Sequence, residues 1–135
     1  EEPDMFHDVF GHVPLLSNKH YTDFFEGISH IALDYIDNPR AIELLGRIYW
    51  FTIEFGLIRE SGELKVYGAG IMSSYGETKN SLSDNTEKFL FDVEHVFNSD
   101  FRTDILQERY FVIDSYEQLY TSIPEIKSKL KELLS

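Results

Sequence analysis

The feature that most constrains the fold is a long apolar segment near the middle of the chain. Asn38 followed by Pro39 is typical of a helix start, and the apolar pattern predicts a helix over about 39–59. The segment is apolar on most sides between Ile48 and Leu57. A helix without a polar face has to be surrounded by protein, so we expect this one to lie in the core.

One carboxylate interrupts this segment. In YWFTIEFGL, residues 49–57, every neighbour of Glu54 except Thr52 and Gly56 is apolar or aromatic. An ionised carboxylate in such surroundings is costly unless it is paired or binds a metal. Glu54 is therefore a candidate metal ligand. The alternative is that it lies on an exposed face or forms an ion pair with a residue such as Arg47.

The remaining pattern predicts one domain that is mainly α with minor β, which suits a chain of 135 residues. Helices are predicted over about 4–10, 19–36, 76–82 and 116–122, and from Pro124 onwards. Strands are predicted over 63–70, where the strand runs into a glycine-rich turn, and over 108–114, while 89–98 fits either a strand or a helix.

Composition excludes several classes of function. The net charge of −12 argues against binding nucleic acid or an anionic membrane surface, because both need Lys and Arg. The chain has no cysteine, which excludes disulfides, zinc–thiolate sites and cysteine nucleophiles and fits a cytoplasmic protein. No apolar run is long enough to span a membrane, and no signal peptide is visible.

Two histidines near the start of the sequence could act on one ion. His7 and His12 would lie roughly 140° apart on a continuous helix, too far round to share a small ligand. Gly11 is expected to end that helix, so that the imidazole of His12 can turn back towards His7. With Glu54 they would form a two-histidine, one-carboxylate triad, which leaves metal positions open for oxygen and substrates.

A second acidic and histidine cluster has an ordinary explanation. Glu26, His30 and Asp34 are spaced by four along the predicted helix 19–36. This spacing suits a metal, but it is more often an exposed helix face with mutual pairing.

Three segments resemble one known family. PDMFHDVFGHVP (3–14), YWFTIEFGL (49–57) and YGAGIMSSYGE (67–77) are similar to signature segments of the biopterin-dependent aromatic amino acid hydroxylases, in the expected order. The resemblance covers about residues 2–115 and implies that family's catalytic-domain fold, with helices and short strands around an iron site. Because the iron motif begins at residue 3, residues 1–135 are expected to be the C-terminal part of a single catalytic domain whose upstream half is absent.

The resemblance also implies roles for individual residues. They fall into an iron site, pterin contacts and an amino acid pocket. His7, His12 and Glu54 would hold Fe(II); Asp8 and Tyr49 would lie beside the pterin; Trp50, Phe55, Gly70, Ser73 and Glu77 would contact the substrate. The chemistry fits, since aromatic rings offer stacking surfaces and glycine allows close backbone approach.

The implied reaction is hydroxylation of an aromatic amino acid by O₂, with tetrahydrobiopterin or a related tetrahydropterin supplying two electrons. Phenylalanine is the expected substrate and a monomer the expected state, since no coiled-coil tail follows Ser135. Tryptophan and tyrosine hydroxylases of the same family are alternatives. Two other classes remain open: a zinc metallohydrolase using the same ligands, and a non-catalytic helical binding module.

Overall fold

A computed structural model describes residues 18–103 and 105–135. Its helices are α1 (Lys19–Asp34), α2 (Pro39–Tyr49), a π-helix (Trp50–Glu54), α3 (Ala69–Met72), α4 (Tyr75–Leu82), α5 (Val93–Phe97), α6 (Tyr116–Thr121) and α7 (Ile123–Leu134). Its strands are β1 (Leu57–Glu60), β2 (Glu63–Val66), β3 (Glu87–Leu90) and β4 (Arg109–Ile113). The prediction of a mainly α fold with minor β is confirmed. The predicted helix 4–10 lies outside the described residues.

The starts of the two long helices follow from their capping residues. The side chain of Asn18 accepts a hydrogen bond from the backbone N–H of Tyr21 at 3.1 Å, and Asn38 does the same for Ala41 at 3.1 Å. Pro39 occupies the first turn of α2, where its missing N–H costs nothing. Both predicted helix starts are confirmed.

The predicted end of the second long helix is wrong. Helix α2 ends at Tyr49, the backbone widens into the π-helix over Trp50–Glu54, and β1 begins at Leu57. The π-turn is closed by the N–H of Phe55 donating to the carbonyl oxygen of Trp50 at 2.9 Å. From Leu57 onwards the chain is a strand, because it pairs with two neighbouring strands. The helical periodicity of the sequence gives no indication of that pairing.

A four-stranded mixed sheet lies beside the helices, in the order β2-β1-β4-β3. Strands β1 and β2 form an antiparallel hairpin, whose turn residues Ser61 and Gly62 both have positive φ, 54° and 78°. Strand β4 pairs in parallel with both β1 and β3. The ambiguous segment 89–98 contains both elements, since β3 ends at Leu90 and α5 begins at Val93.

Two hydrophobic clusters form the core. The larger one joins the buried faces of α1, α2 and α7 to the sheet. The smaller one gathers Phe55, Leu57, Ile71, Tyr110 and Val112. Trp50 packs against both clusters, so the π-helix lies at the seam between them. None of the helices in the described part of the chain is long and apolar enough to cross a membrane.

Candidate active site

Glu54 is the last residue of the π-helix and is half-buried. The glycines of the YGAG segment pack directly against the backbone beside it. A Cβ placed on Gly68 would lie 2.5 Å from the carbonyl oxygen of Glu54, and one on Gly70 would lie 2.9 Å from that oxygen and from the ring of Phe55. Only glycine allows this approach, so the two glycines hold the glycine-rich segment against the candidate ligand.

Arg47 has other partners than Glu54. Its Nη2 lies 2.8 Å from Oδ1 of Asp100 and 3.5 Å from Oε2 of Glu43, and its Nη1 donates to the carbonyl oxygen of Phe97. The guanidinium thus joins α2 to the segment after α5. The alternative in which Arg47 neutralises Glu54 is therefore wrong.

Within residues 18–103 and 105–135, no three His, Asp or Glu side chains lie close enough together to hold a metal ion. Glu26, His30 and Asp34 are all exposed on α1, as expected of an ordinary solvated helix face. The described residues therefore offer Glu54 as one candidate ligand and not a complete site. His7, His12 and Asp8, the other predicted iron and pterin residues, lie outside the described residues.

An open cavity of about 450 Å³ lies next to the end of the π-helix. It is lined by residues of the π-helix region, α3, α4 and the segment before β4: Trp50, Phe55, Gly70, Ser74, Glu77, Thr103, Ile105, Leu106 and Gln107. Four of the five predicted substrate residues therefore meet in one place. Its volume falls within the usual range for a small-molecule site.

Two predicted residues lie outside the lining of this cavity. Ser73 is exposed at the end of α3, and its Oγ donates to the carbonyl oxygen of Gly70 at 3.2 Å. Tyr49 is 36% exposed at the end of α2 and packs edge-on against Phe25, with ring centroids 6.3 Å apart. It is Ser74, the next residue along, that lines the cavity and caps α4.

The aromatic rings of Trp50 and Phe55 form one wall of the cavity. Their centroids are 4.5 Å apart with 30° between the ring planes, and Phe101, which is not a lining residue, stacks on Trp50 at 4.4 Å and 12°. Such offset stacks stabilise the ring positions beyond the area they bury. This side of the cavity is therefore apolar and aromatic.

A buried carboxylate also lines the cavity. Glu77 is 7% exposed; its Oε1 accepts from the hydroxyl of Tyr110 at 2.6 Å and its Oε2 from the N–H of Gln107 at 3.0 Å. Burial and the hydrogen bond to Glu77 raise the pKa of Tyr110, so its phenol remains a donor at neutral pH. Both of these partners are neutral groups, a phenol and a backbone amide.

Two tyrosines of the larger hydrophobic cluster have buried hydroxyls. Those of Tyr21 and Tyr67 have no hydrogen-bond partner within the described part of the chain. Burial raises the pKa of Tyr21, and the charges of Tyr49 and Glu54 raise it further. Burial is also the main cause of the raised pKa of Tyr67. The charge of Glu54 therefore acts on the hydroxyl of Tyr21.

Sequence reasoning missed the segment that closes the cavity. Phe101 and Gln107 lie in an irregular stretch between α5 and β4, about 50 residues from Trp50 along the chain. Neither residue belongs to a periodic pattern or to one of the three motifs. The parallel pairing of β4 with β1 and the bonds from Arg47 to Phe97 and Asp100 bring this stretch to the π-helix.

Comparison with known proteins places these features in context. The family model described as biopterin-dependent aromatic amino acid hydroxylase matches residues 1–135. A phenylalanine-4-hydroxylase of Ralstonia nicotianae is 45% identical over 121 residues, which are 89% of this chain and 38% of that protein. A tyrosine 3-monooxygenase of Rattus norvegicus is 37% identical over 134 residues, 99% of this chain and 26% of that protein. The chain thus spans less than half the length of these curated relatives.

Solved structures agree with the sequence matches. Phenylalanine hydroxylase from Legionella pneumophila superposes with a TM-score of 0.84 at 38% identity, covering 95% of this chain and 52% of that one. The Chromobacterium violaceum enzyme with bound oxidized Fe(III) superposes with a TM-score of 0.87 at 38% identity, covering 96% of this chain and 47% of that one.

Proposed function

The chain belongs to the biopterin-dependent aromatic amino acid hydroxylase family, and from that premise we propose that it is part of an enzyme that hydroxylates L-phenylalanine with O₂ and a tetrahydropterin. The observation that carries the proposal is the juxtaposition of Glu54 with a cavity walled by Trp50 and Phe55. The bacterial relatives named phenylalanine-4-hydroxylase, 45% and 43% identical, support phenylalanine as the substrate.

The proposed iron ligands are His7, His12 and Glu54. Glu54 fits this role because it is a half-buried carboxylate in an apolar segment and Arg47 is engaged elsewhere. Two imidazoles and one carboxylate make the donor set typical of non-haem Fe(II) sites with open positions. The C. violaceum relative has been solved with Fe(III) and with cobalt, which supports a metal of this type. Bound iron would supply O₂ activation, with the tetrahydropterin as the two-electron donor.

The residues of this chain would bind and orient the substrate. The aromatic side chain would lie against Trp50 and Phe55, whose apolar surface also excludes water. Gly70 and Ser73 are the proposed contacts for the polar end of the amino acid, and Glu77 a further pocket contact. Asp8 and Tyr49 are the proposed contacts for the pterin.

Anaerobic Fe(II) binding tests the ligand assignment. Glu54→Gln keeps the side-chain volume and removes the charge, and we expect the dissociation constant for Fe(II) to rise at least about tenfold. Glu26→Gln, the same change on the exposed face of α1, is the matched control and should bind as the wild type does. Equal affinities in all three proteins would show that Glu54 is not a ligand.

A product assay on the full-length protein tests the reaction. We expect tyrosine to form from L-phenylalanine only when Fe(II), O₂ and a tetrahydropterin are all present. The tyrosine 3-monooxygenase relatives, 37% identical, make L-tyrosine the second candidate substrate, and L-tryptophan completes the comparison. Activity with Zn²⁺ and without O₂ would instead favour a metallohydrolase, because Zn²⁺ has no redox chemistry.

The proposed partner is thus a small-molecule amino acid. The net charge of −12 supports the absence of a nucleic-acid partner. A monomeric state, a cytoplasmic location and the assignment of residues 1–135 to one catalytic domain stay predictions.

A further inference from the structure

The ring of Trp50 is held by three side chains. Phe101 and Phe55 stack against it, and its indole Nε1–H donates a hydrogen bond of 3.1 Å to Oε1 of Gln107. Stacking fixes the plane of a ring but allows it to slide and turn within that plane. The hydrogen bond at the edge removes this freedom, so the exact position of the wall depends on Gln107.

Every polar group of Gln107, in its backbone and its side chain, makes a hydrogen bond. Its Nε2 donates to the carbonyl oxygen of Arg102 at 2.8 Å, its N–H donates to Glu77, and its carbonyl oxygen accepts from Nδ2 of Asn80 at 2.6 Å. The residue is 6% exposed. The indole N–H is only a donor and the Arg102 carbonyl only an acceptor, so turning the amide over would lose both side-chain bonds.

Glu77 and its neighbours fix the base of this arrangement. Asn80 donates to Gln107 and also, at 2.9 Å, to the hydroxyl of Tyr110, which in turn donates to Glu77. The side chains of Glu77, Asn80 and Tyr110, with the backbone N–H and carbonyl oxygen of Gln107, form a closed network that joins α4 to the start of β4. These bonds fix the backbone of Gln107 relative to Glu77 and Asn80, and with it the position from which the side chain of Gln107 reaches Trp50.

We propose that Gln107 is a positioning residue: seated on Glu77 and Asn80, it fixes Trp50 as the wall against which the aromatic ring of the substrate lies. The role in substrate binding rests on the function proposed above. Gln107 does not touch the reacting atoms and acts through Trp50. Its loss should therefore weaken binding of the amino acid far more than it slows the chemical step.

The test compares Gln107→Leu with the wild type in the iron-loaded protein. Leucine has a similar volume but neither accepts from Trp50 nor donates to Arg102, while the backbone bonds to Glu77 and Asn80 are kept. We expect KM for L-phenylalanine to rise about tenfold, because a hydrogen bond is lost and a donor is left without its partner. The kcat and the Fe(II) affinity should change little.

A second readout does not depend on activity. Trp50 is the only tryptophan in the 135-residue chain, so its fluorescence reports on this wall alone. Quenching of that fluorescence by iodide should increase in Gln107→Leu, because a loosened ring exposes more of its faces. Gln118→Leu is the matched control: Gln118 accepts a hydrogen bond from the backbone of Asp114, away from the cavity, and its loss should leave Trp50 unchanged.

The outcomes separate the two proposals. Unchanged quenching in Gln107→Leu overturns the positioning role, whatever the kinetics show. Increased quenching with an unchanged KM overturns its part in substrate binding. If the wild-type protein neither binds nor hydroxylates L-phenylalanine, the proposed function fails, and the quenching comparison still decides the role of Gln107. Should the leucine variant not fold, Gln107→Met, which is longer and more adaptable, carries the same expectations.

Discussion

Gly68 lies directly against the backbone of Glu54, so closely that a Cβ at residue 68 would be 2.5 Å from the carbonyl oxygen of Glu54 and 2.5 Å from the nitrogen of Gly56. The contact joins two segments that are both candidate parts of the site. Backbone atoms cannot move aside as a flexible side chain would, so the glycine is a steric requirement of this fold.

Gly68→Ala is expected to destabilise the protein. The added methyl group has to push the π-helix and the glycine-rich segment apart, and overpacking of this kind typically costs about 1–3 kcal/mol of the free energy of unfolding. Urea denaturation measures the change. A variant as stable as the wild type would show that the two segments can separate without loss.

Gly46→Ala is the matched control and should change the free energy of unfolding in the opposite direction. Gly46 lies inside α2, and a Cβ there would meet no atom of another part of the described chain within 4 Å. Alanine is a better helix former than glycine, so the free energy of unfolding should rise by about 0.5–1 kcal/mol. A loss of stability in the same denaturation experiment would contradict the open surroundings found at this position.

Tyr67→Phe should leave stability unchanged or raise it. The hydroxyl of Tyr67 is buried without a hydrogen-bond partner in the part of the chain that the structure describes. Removing it relieves a desolvation cost on the order of 1 kcal/mol and breaks no hydrogen bond to the described residues.

Tyr110→Phe provides the contrast to Tyr67→Phe. The hydroxyl of Tyr110 donates to Glu77 and accepts from Asn80, so its removal leaves a buried carboxylate short of a donor and should cost about 2 kcal/mol. Thermal or urea unfolding of the two variants side by side checks both. Equal losses would mean that the two hydroxyls are equally well bonded.

Stability should fall in alkaline solution. Burial, with a smaller contribution from the charge of Glu60, raises the pKa of Tyr116 from 10.0 to about 12. The folded state then holds the phenolic proton more tightly than the unfolded state does. The stabilisation is complete below pH 10 and is lost as the pH rises from 10 towards 12.

Urea unfolding on both sides of pH 10 measures this loss, and tyrosinate absorbance follows the ionisation directly. Tyr21, Tyr67 and Tyr110 also have raised pKa values caused mainly by burial, so they should ionise late as well. In Tyr116→Phe the free energy of unfolding should fall less steeply with rising pH. An equally steep fall in this variant would show that the pH dependence comes from groups other than Tyr116.

Local rules and motifs determined a large part of this protein from sequence alone. The starts of α1 and α2 follow from Asn18 and Asn38, because a capping side chain acts on its own backbone within three residues. The three signature segments identified the family, which the match over residues 1–135 confirms. The unusual position of Glu54 was also visible, since a charge among aromatic residues stands out in the sequence itself.

Only the tertiary structure decided where the long apolar segment stops being a helix and what closes the cavity. Residues 57–60 have a helical pattern but pair as a strand, because hydrogen bonds to the hairpin partner β2 and to the distant strand β4 outweigh local preference. Gln107 and Phe101 reach Trp50 for the same reason: strand pairing brings an irregular segment with no periodic signal to the end of the π-helix. Contacts between residues so far apart leave no trace in local patterns, since they depend on how the elements pack and not on what each element prefers.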